Sequence, residues 1–216
     1  MPFEEYLSSG MHIGTRMINA HMKRFVYKIR DDGLAIIDLA TIEKRIKVAA
    51  AFISRANKVM VISRKPVAFK AIETFAEIIG GKAVKGRFLA GTLSNPYFKE
   101  YYEPDLIIIV DPLVDRQAVK EAVKMRIPVI ALSDTQNETD NIDVIIPVNN
   151  KGKKAIAMTF YLLAKEVMLL RKKIENEKDF PYKPEQFEGV EKDEGVKVAK
   201  KEQTGKRGSN KAKNSK

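Results

Sequence analysis

Two carboxylates stand where this chain could do chemistry. Asp111, in IIIVDP, and Asp134, in IALSDT, each lie just past a short apolar run that reads as a strand. Brought side by side at the C-terminal ends of a sheet, they could hold Mg²⁺ through oxygen ligands, as phosphoacceptor domains do. The competing reading is a pair of turns. Asp111 precedes Pro112, and Ser133, Asp134 and Thr135 are residue types that saturate nearby backbone N–H groups. No phosphoacceptor partner set accompanies the two acids, so the turn reading carries more weight.

Other reaction chemistries find no footing. No GxGxxG follows a predicted strand, Gly80-Gly81-Lys82 and Gly91-Thr92 lack the spacing of a Walker loop, and no GxSxG elbow occurs. The two histidines, His12 and His21, both precede the predicted sheet, away from the strand ends where such folds bind ligands. Cysteine is absent, which excludes a thiolate nucleophile, a redox pair and a cysteine-ligated zinc, and makes an intracellular setting the expectation.

The residues suited to polyanions are more numerous. Between His12 and Arg30 stand Arg16, Lys23, Arg24, Lys28 and Arg30, with Phe25 and Tyr27 among them and no carboxylate. Such cations suit phosphate contacts, which give affinity without reading sequence; the plain alternative is a solvated basic hairpin. Because Phe25 and Tyr27 alternate, both are expected to face the core. Arg87 and Lys99 bracket an irregular stretch, residues 86–104, that carries five aromatics and is long for a connection in a compact domain. Its rings could stack on structured RNA, or fill a small core beneath the loop. Lys151, Lys153 and Lys154 form a cationic elbow between a strand and a helix.

The elements that must position these residues follow from periodicity. Residues 25–39 read as a hairpin around Asp31-Asp32-Gly33. Thr41 is placed to cap a helix whose buried face is Ile42, Ile46, Ala49, Ala50 and Ile53. An apolar strand at residues 59–62, a helix opened by Pro66 and closed by Gly80-Gly81, and a short strand at residues 83–84 follow. Further strands are expected at residues 106–110, 129–132 and 144–146, with a helix at residues 114–125. Ile156, Phe160, Leu163, Val167, Leu170 and Ile174 mark one stripe of a long final helix. Strands apolar on both faces and alternating with helices specify a three-layer, doubly wound, mostly parallel α/β sheet, extended by the N-terminal hairpin.

The chain of 216 residues carries net charge +11, which favours polyanionic partners. No apolar run approaches the ~20 residues of a membrane span, and Phe3-Glu4-Glu5 is unlike a signal peptide. One domain over residues 1–187, whose first 40 or so residues form the RNA-facing extension, is expected to end in a disordered basic tail over 188–216. There Lys206, Arg207, Lys211 and Lys213 stand among small polar residues.

Five ordered blocks carry a resemblance: MHIGTRMINAHMKRFVYKIRDDGLAIIDLATIEK, GRFLAGTLSNP, IIIVDPLVDRQAVKEA, IPVIALSDTQN and IDVIIPVNNKGKKAIAMTFYLLAKEV. Together they resemble the small-subunit ribosomal protein S-two family, also known as the SA or laminin-receptor-precursor family, over about residues 6–171. HIGT, GRF and VNNKG are similar to its archaeal and eukaryotic branch. The helical hairpin of bacterial members and the acidic, tryptophan-containing tail of animal members are missing, so an archaeal-type member is implied. The family motifs fall on His12, Gly14, Thr15, Gly86, Asn95, Asp111, Asp134, Asn149, Asn150 and Gly152.

The resemblance implies a flavodoxin-like domain that is no enzyme. It implies a structural constituent of the small ribosomal subunit in the cytoplasm, touching ribosomal RNA and neighbouring ribosomal proteins near the head–body junction and the messenger RNA exit. It implies no cofactor, Mg²⁺ entering only through the RNA, and no membrane or small-molecule partner. Two alternatives remain: a phosphate- or nucleotide-dependent enzyme or receiver-like Mg²⁺ domain on the same fold, and a free RNA-binding regulator.

Overall fold

The computed structural model describes residues 3–174 and 180–188. The basic tail, with Lys206, Arg207, Lys211 and Lys213, lies outside the described residues. The chain enters through a short helix, α1 (Phe3–Ser9), and an antiparallel ribbon, β1 (Val26–Ile29) and β2 (Ala35–Ile37), turned at the expected Asp-Asp-Gly. Helix α2 (Leu39–Arg55) follows, and its buried residues are the five the periodicity predicts. Its cap is Asp38 rather than Thr41. The Asp38 carboxylate accepts from the N–H groups of Ala40 and Thr41, and the Thr41 hydroxyl donates to the same carboxylate. Two cap-forming residues three apart compete for one role, and the earlier one takes it.

The main sheet comprises β3 (Val59–Ser63), β4 (Lys82–Lys85), β5 (Leu106–Ile109), β6 (Val129–Ser133) and β7 (Val144–Pro147), all parallel. Its order, β4-β3-β5-β6-β7, is the flavodoxin-like one, with the reversal between β3 and β5. Helix α2 packs on it together with α3 (Phe69–Ile79), α4 (Arg116–Met125) and α5 (Lys153–Leu170). Gly80 ends α3 in the left-handed region at φ 76°, which a glycine adopts without steric cost. A last short helix, α6 (Pro184–Glu188), brings Phe187 against Tyr161, whose ring also meets Phe180 edge-on.

Alternation along each strand splits the interior into two cores. Val59, Val61, Leu106, Ile108, Ile130 and Leu132 face α2, α3 and α5, where Phe75 and Phe160 stack at 5.1 Å between ring centroids. Met60, Ile62, Ile107, Ile109, Val129 and Ala131 face α4 and the buried Phe88 and Leu93. The second layer is thin. Where a doubly wound sheet carries helices between β4 and β5 and between β6 and β7, this chain carries loops, and residues 86–104 supply the missing apolar cover. Two of the loop's five aromatics serve that packing, Phe88 buried and Tyr102 leaning on the second core beneath Lys82, whereas Tyr97 is 98% exposed.

Two expectations about hydrophobic faces are corrected. The stripe of α5 holds through Val167, but Leu170 is half exposed and Ile174 packs on the first core from beyond the helix, because the chain turns at Arg171 and Lys172 takes φ 54°. Arg171 is spent on capping: its guanidinium donates to the carbonyls of Ile53, Ala56 and Ile79, the C-terminal ends of α2 and α3. Tyr27 is 72% exposed while Phe25 is buried. Phe25 belongs to a 3₁₀ turn, Lys23–Phe25, and β1 begins after it with a register shift, so strict alternation does not link the two rings.

Candidate nucleic-acid interface

The basic leader is held rigidly, by its backbone. Ile13 bridges Ile36, the Gly14 N–H donates to the Ala35 carbonyl at 2.8 Å, and the Ile37 N–H donates to that of His12 at 2.8 Å. Loops beyond β6 and β7 clip it from the other side. The Thr15 N–H donates to Thr135 Oγ1, the Asn19 N–H to the Thr135 carbonyl, and Asn149 bonds Met11 and Gly10. The family-motif residues Gly14, Thr15 and Asn149 thus seat the leader. Asn149 Oδ1 also accepts from the N–H groups of Lys151 and Gly152, which shapes the elbow before α5. Burial lowers the His12 pKa and leaves its Nδ1 without a hydrogen bond, so the ring is neutral. Gly86 turns the chain out of β4 at φ 88°, and Asn95 Oδ1 accepts from the Tyr97 N–H within the loop.

On this frame Arg16, Lys23, Arg24, Lys28 and Arg30 are all exposed. Arg24 lies over the Phe25 ring, 4.8 Å from its centroid, which fixes one cation beside a buried aromatic. Arg30 is partly answered by Asp32 at 3.5 Å, a solvent-exposed pair of small energetic worth. Among the described residues, Arg16, Lys23, Arg24 and Lys28 have no carboxylate partner. Arg87 and Lys99 are exposed on the 86–104 loop, and Lys154 on the first turn of α5. Lys151 is engaged, meeting Gln136 at 3.0 Å and Asp134 at 3.9 Å, and Lys153 is half buried. The cations therefore fall into a leader group, a loop group and an elbow group, of which the leader is the largest.

The strand-end crevice tells the other half. Asp111 is buried, with Oδ2 paired to Lys65 Nζ and Oδ1 accepting from Asn137 Nδ2 at 2.8 Å. Asn150, fully buried, donates to the carbonyls of Val110 and Leu132 and to Asn137 Oδ1, while Lys65 also donates to Asn150. Asp134 accepts from the Thr135 N–H at 2.7 Å, and burial raises its pKa. Over the ends of β5, β6 and β7 the strand-end crevice is filled by the chain's own polar network. Among the described residues no cluster of three or more His, Asp or Glu side chains is arranged to hold a metal ion. Asp111 and Asp134 are strand-end turn residues, as the heavier of the two sequence readings has it.

Sequence reasoning missed several members of this surface. Lys65, Asn137 and Asp115 meet only in the folded chain. Burial, reinforced by the charge of Asp111, pushes the Asp115 carboxyl up to about 7. Arg116, Lys120 and Lys124 line a groove of about 520 Å³ along α4, opposite Glu138 and Asp140. Their spacing of four was legible as one helical ridge.

The chain is an α/β domain of flavodoxin-like order, with a polar network over part of its strand-end crevice and exposed cations on outlying segments. Comparison with known proteins gives that domain a family. A sequence model of Ribosomal protein S2 matches residues 6–100 and 98–169. The small ribosomal subunit protein uS2 of Ignicoccus hospitalis is 49% identical over 174 residues, covering 79% of this chain and 82% of that protein. Its counterpart from Pyrobaculum islandicum is 44% identical over 192 residues, covering 87% of this chain and 93% of that protein. The chain belongs to the ribosomal protein S2 family, and these archaeal relatives are named as ribosomal-subunit proteins rather than as enzymes.

Proposed function

We propose that the protein is a structural constituent of the small ribosomal subunit in the cytoplasm, holding ribosomal RNA and neighbouring ribosomal proteins near the head–body junction and the messenger RNA exit. The observation that carries this reading is the leader: five exposed cations between His12 and Arg30 with no intervening acid, clipped by its backbone to the sheet domain. Rigid placement of cations lowers the ordering cost of binding a folded polyanion. Phosphate contacts then set position, and shape across several RNA elements sets specificity. The protein brings no cofactor of its own to this role, and Mg²⁺ enters only with the RNA.

The phosphate-dependent enzyme is the weaker reading, because Lys65, Asn137 and the Leu113 N–H already occupy the hydrogen-bonding capacity of Asp111. The test reverses charge in the leader. Arg16→Glu with Lys23→Glu and Arg24→Glu should exclude the full-length protein from small subunits on sucrose gradients while the protein stays folded, its unfolding temperature lowered only by loss of the Arg24–Phe25 contact. Normal incorporation of that variant sinks the assignment of the leader.

A further inference from the structure

Between the end of β3, the start of α4 and the 86–104 loop lies a recess of about 300 Å³, lined in part by Arg64, Arg87, Phe88, Asp115 and Gln117. It opens beyond the C-terminal ends of β3 and β5, where the strand order reverses and where doubly wound sheets take ligands. Unlike the Asp111 network beside it, this recess is empty of side-chain partners. Arg64 and Arg87 are exposed and form no ion pair among the described residues. At the α4 side, no acceptor among the described residues meets the amide N–H of Arg116 or Gln117. Two guanidinium groups and the positive end of a ten-residue helix thus call for an anion.

Asp115 makes a second and opposite demand. It is 3% exposed, its Oδ1 accepts from the Arg64 N–H at 3.0 Å, and its Oδ2 has no hydrogen-bond partner. A buried acceptor left unmade in a native fold needs an explanation. A bare phosphate would meet that carboxylate with like charge, and a simple cation would meet the two arginines. The group that satisfies both carries a phosphate and, one sugar away, a hydroxyl donor.

We propose that this recess takes one ribonucleotide unit: the phosphate on Arg64, Arg87 and the α4 amides, and the ribose 2′-hydroxyl donating to Asp115 Oδ2. It rests on the reading of the protein as an RNA-binding subunit and adds a contact that distinguishes RNA from DNA. The leader cations cannot make that distinction, since phosphates are common to both.

The test measures binding of a short single-stranded RNA, and of the same sequence in deoxyribose, to the full-length protein. It is run at about pH 8, where the Asp115 carboxyl is ionised. Wild type should favour RNA by about tenfold, the worth of one hydrogen bond to a charged acceptor. Asp115→Asn should lose most of that margin without weakening DNA binding, since it also removes a like charge beside the phosphate. Arg64→Ala with Arg87→Ala should weaken both strands alike and reduce the salt slope by about 1.4. An RNA-to-DNA ratio unaltered by Asp115→Asn overturns the recess. Absence of binding to either strand at low salt overturns the RNA-binding reading beneath it. Binding of adenosine 5′-monophosphate that depends on Asp115, with strand binding indifferent to it, makes the recess a free-nucleotide site and overturns the strand contact. Should Asp115→Asn not fold, the ¹³C carboxyl shift of Asp115 in wild type decides. A shift that moves with RNA and not with DNA supports the contact, and any other pattern refutes it.

Discussion

Thr135 fills the space that a side chain on Gly14 would need: a Cβ there would lie 2.5 Å from Thr135 Cγ2 and 3.1 Å from the Ala35 carbonyl oxygen. The contact joins residues 121 apart in sequence, and with the Thr15–Thr135 bonds it fixes the basic leader on the sheet domain. Gly14→Ala is therefore expected to destabilise the fold by about 1–3 kcal/mol through overpacking. The urea midpoint should fall with an unchanged slope, and Thr135→Ser, which deletes the clashing methyl, should restore part of it. Equal losses in the single and double variants would refute the contact as the cause.

Lys65 and Asp111 form an ion pair in which the lysine side chain is 17% exposed and the aspartate 3%. Breaking such a pair leaves a buried charge, which costs about 3–5 kcal/mol. Lys65→Met should show that loss in equilibrium unfolding. Lys65→Met with Asp111→Asn should recover much of it, because Asn137 Nδ2 keeps an acceptor at position 111 and no charge remains. A double variant as unstable as Lys65→Met alone would show that the network, and not the charge, carries the energy.

The fold was legible where burial is two-sided. Residues 59–62 and 106–110 are continuous apolar runs because they feed both cores, and the α5 stripe is clear from Ile156 to Val167 because that helix is buried on several sides within the first core. Legibility failed where a local rule met a tertiary competitor. The turn at Arg171 and Lys172 puts Ile174 outside the helix and leaves Leu170 half exposed at its end, and Asp38 displaces Thr41 as cap. Helices as short as α1 and α6 leave too few turns for a period to register. The leader cations could be read from sequence, since they are contiguous and exposed. The crevice could not: Lys65, Asp111, Asn137 and Asn150 come from four separate loops, and only the sheet brings them together.

Asp115 gives stability a pH dependence with a definite sign. Folding raises its pKa from 3.8 to about 7, so between those values the folded state keeps a proton that the unfolded chain has released. Stability then falls as pH rises through this window and levels off above it. Burial of Asp134 acts in the same sense. Lowered carboxyls such as Asp105 act below the window, and neutral His12 acts oppositely below about 6.5. A difference between variants isolates the one group. From about pH 5 to about pH 8, Asp115→Asn should gain about 2–3 kcal/mol relative to wild type, read from urea midpoints at each pH. Parallel curves would show that the carboxyl titrates normally. A gain here together with lost RNA discrimination would mark Asp115 as a residue kept for binding at a cost in stability.

The leader makes a separable prediction, because its cations differ in how far they are already neutralised. Arg16, Lys23, Arg24 and Lys28 have no carboxylate partner among the described residues, whereas Arg30 has Asp32 at 3.5 Å. Each phosphate newly paired with a cation releases counterions, contributing about 0.7 to the salt slope on single-stranded RNA and about 0.9 on a duplex of the B-DNA type. Changing the four free cations to Gln should lower the slope of log K against log salt by about 3 and weaken binding most at low salt. Arg30→Gln should lower it by less than one of the four does alone, since its charge is shared with Asp32 before the RNA arrives. Lys47→Gln is the control, a lysine paired with Glu43 at 2.8 Å on the exposed face of α2. All these side chains are solvent-exposed, so unfolding midpoints should move little, except that loss of the Arg24–Phe25 contact costs about 0.5–1 kcal/mol. If Lys47→Gln reduces the slope as much as the leader changes do, binding follows net charge alone, and the ordered placement of the leader has no part in it.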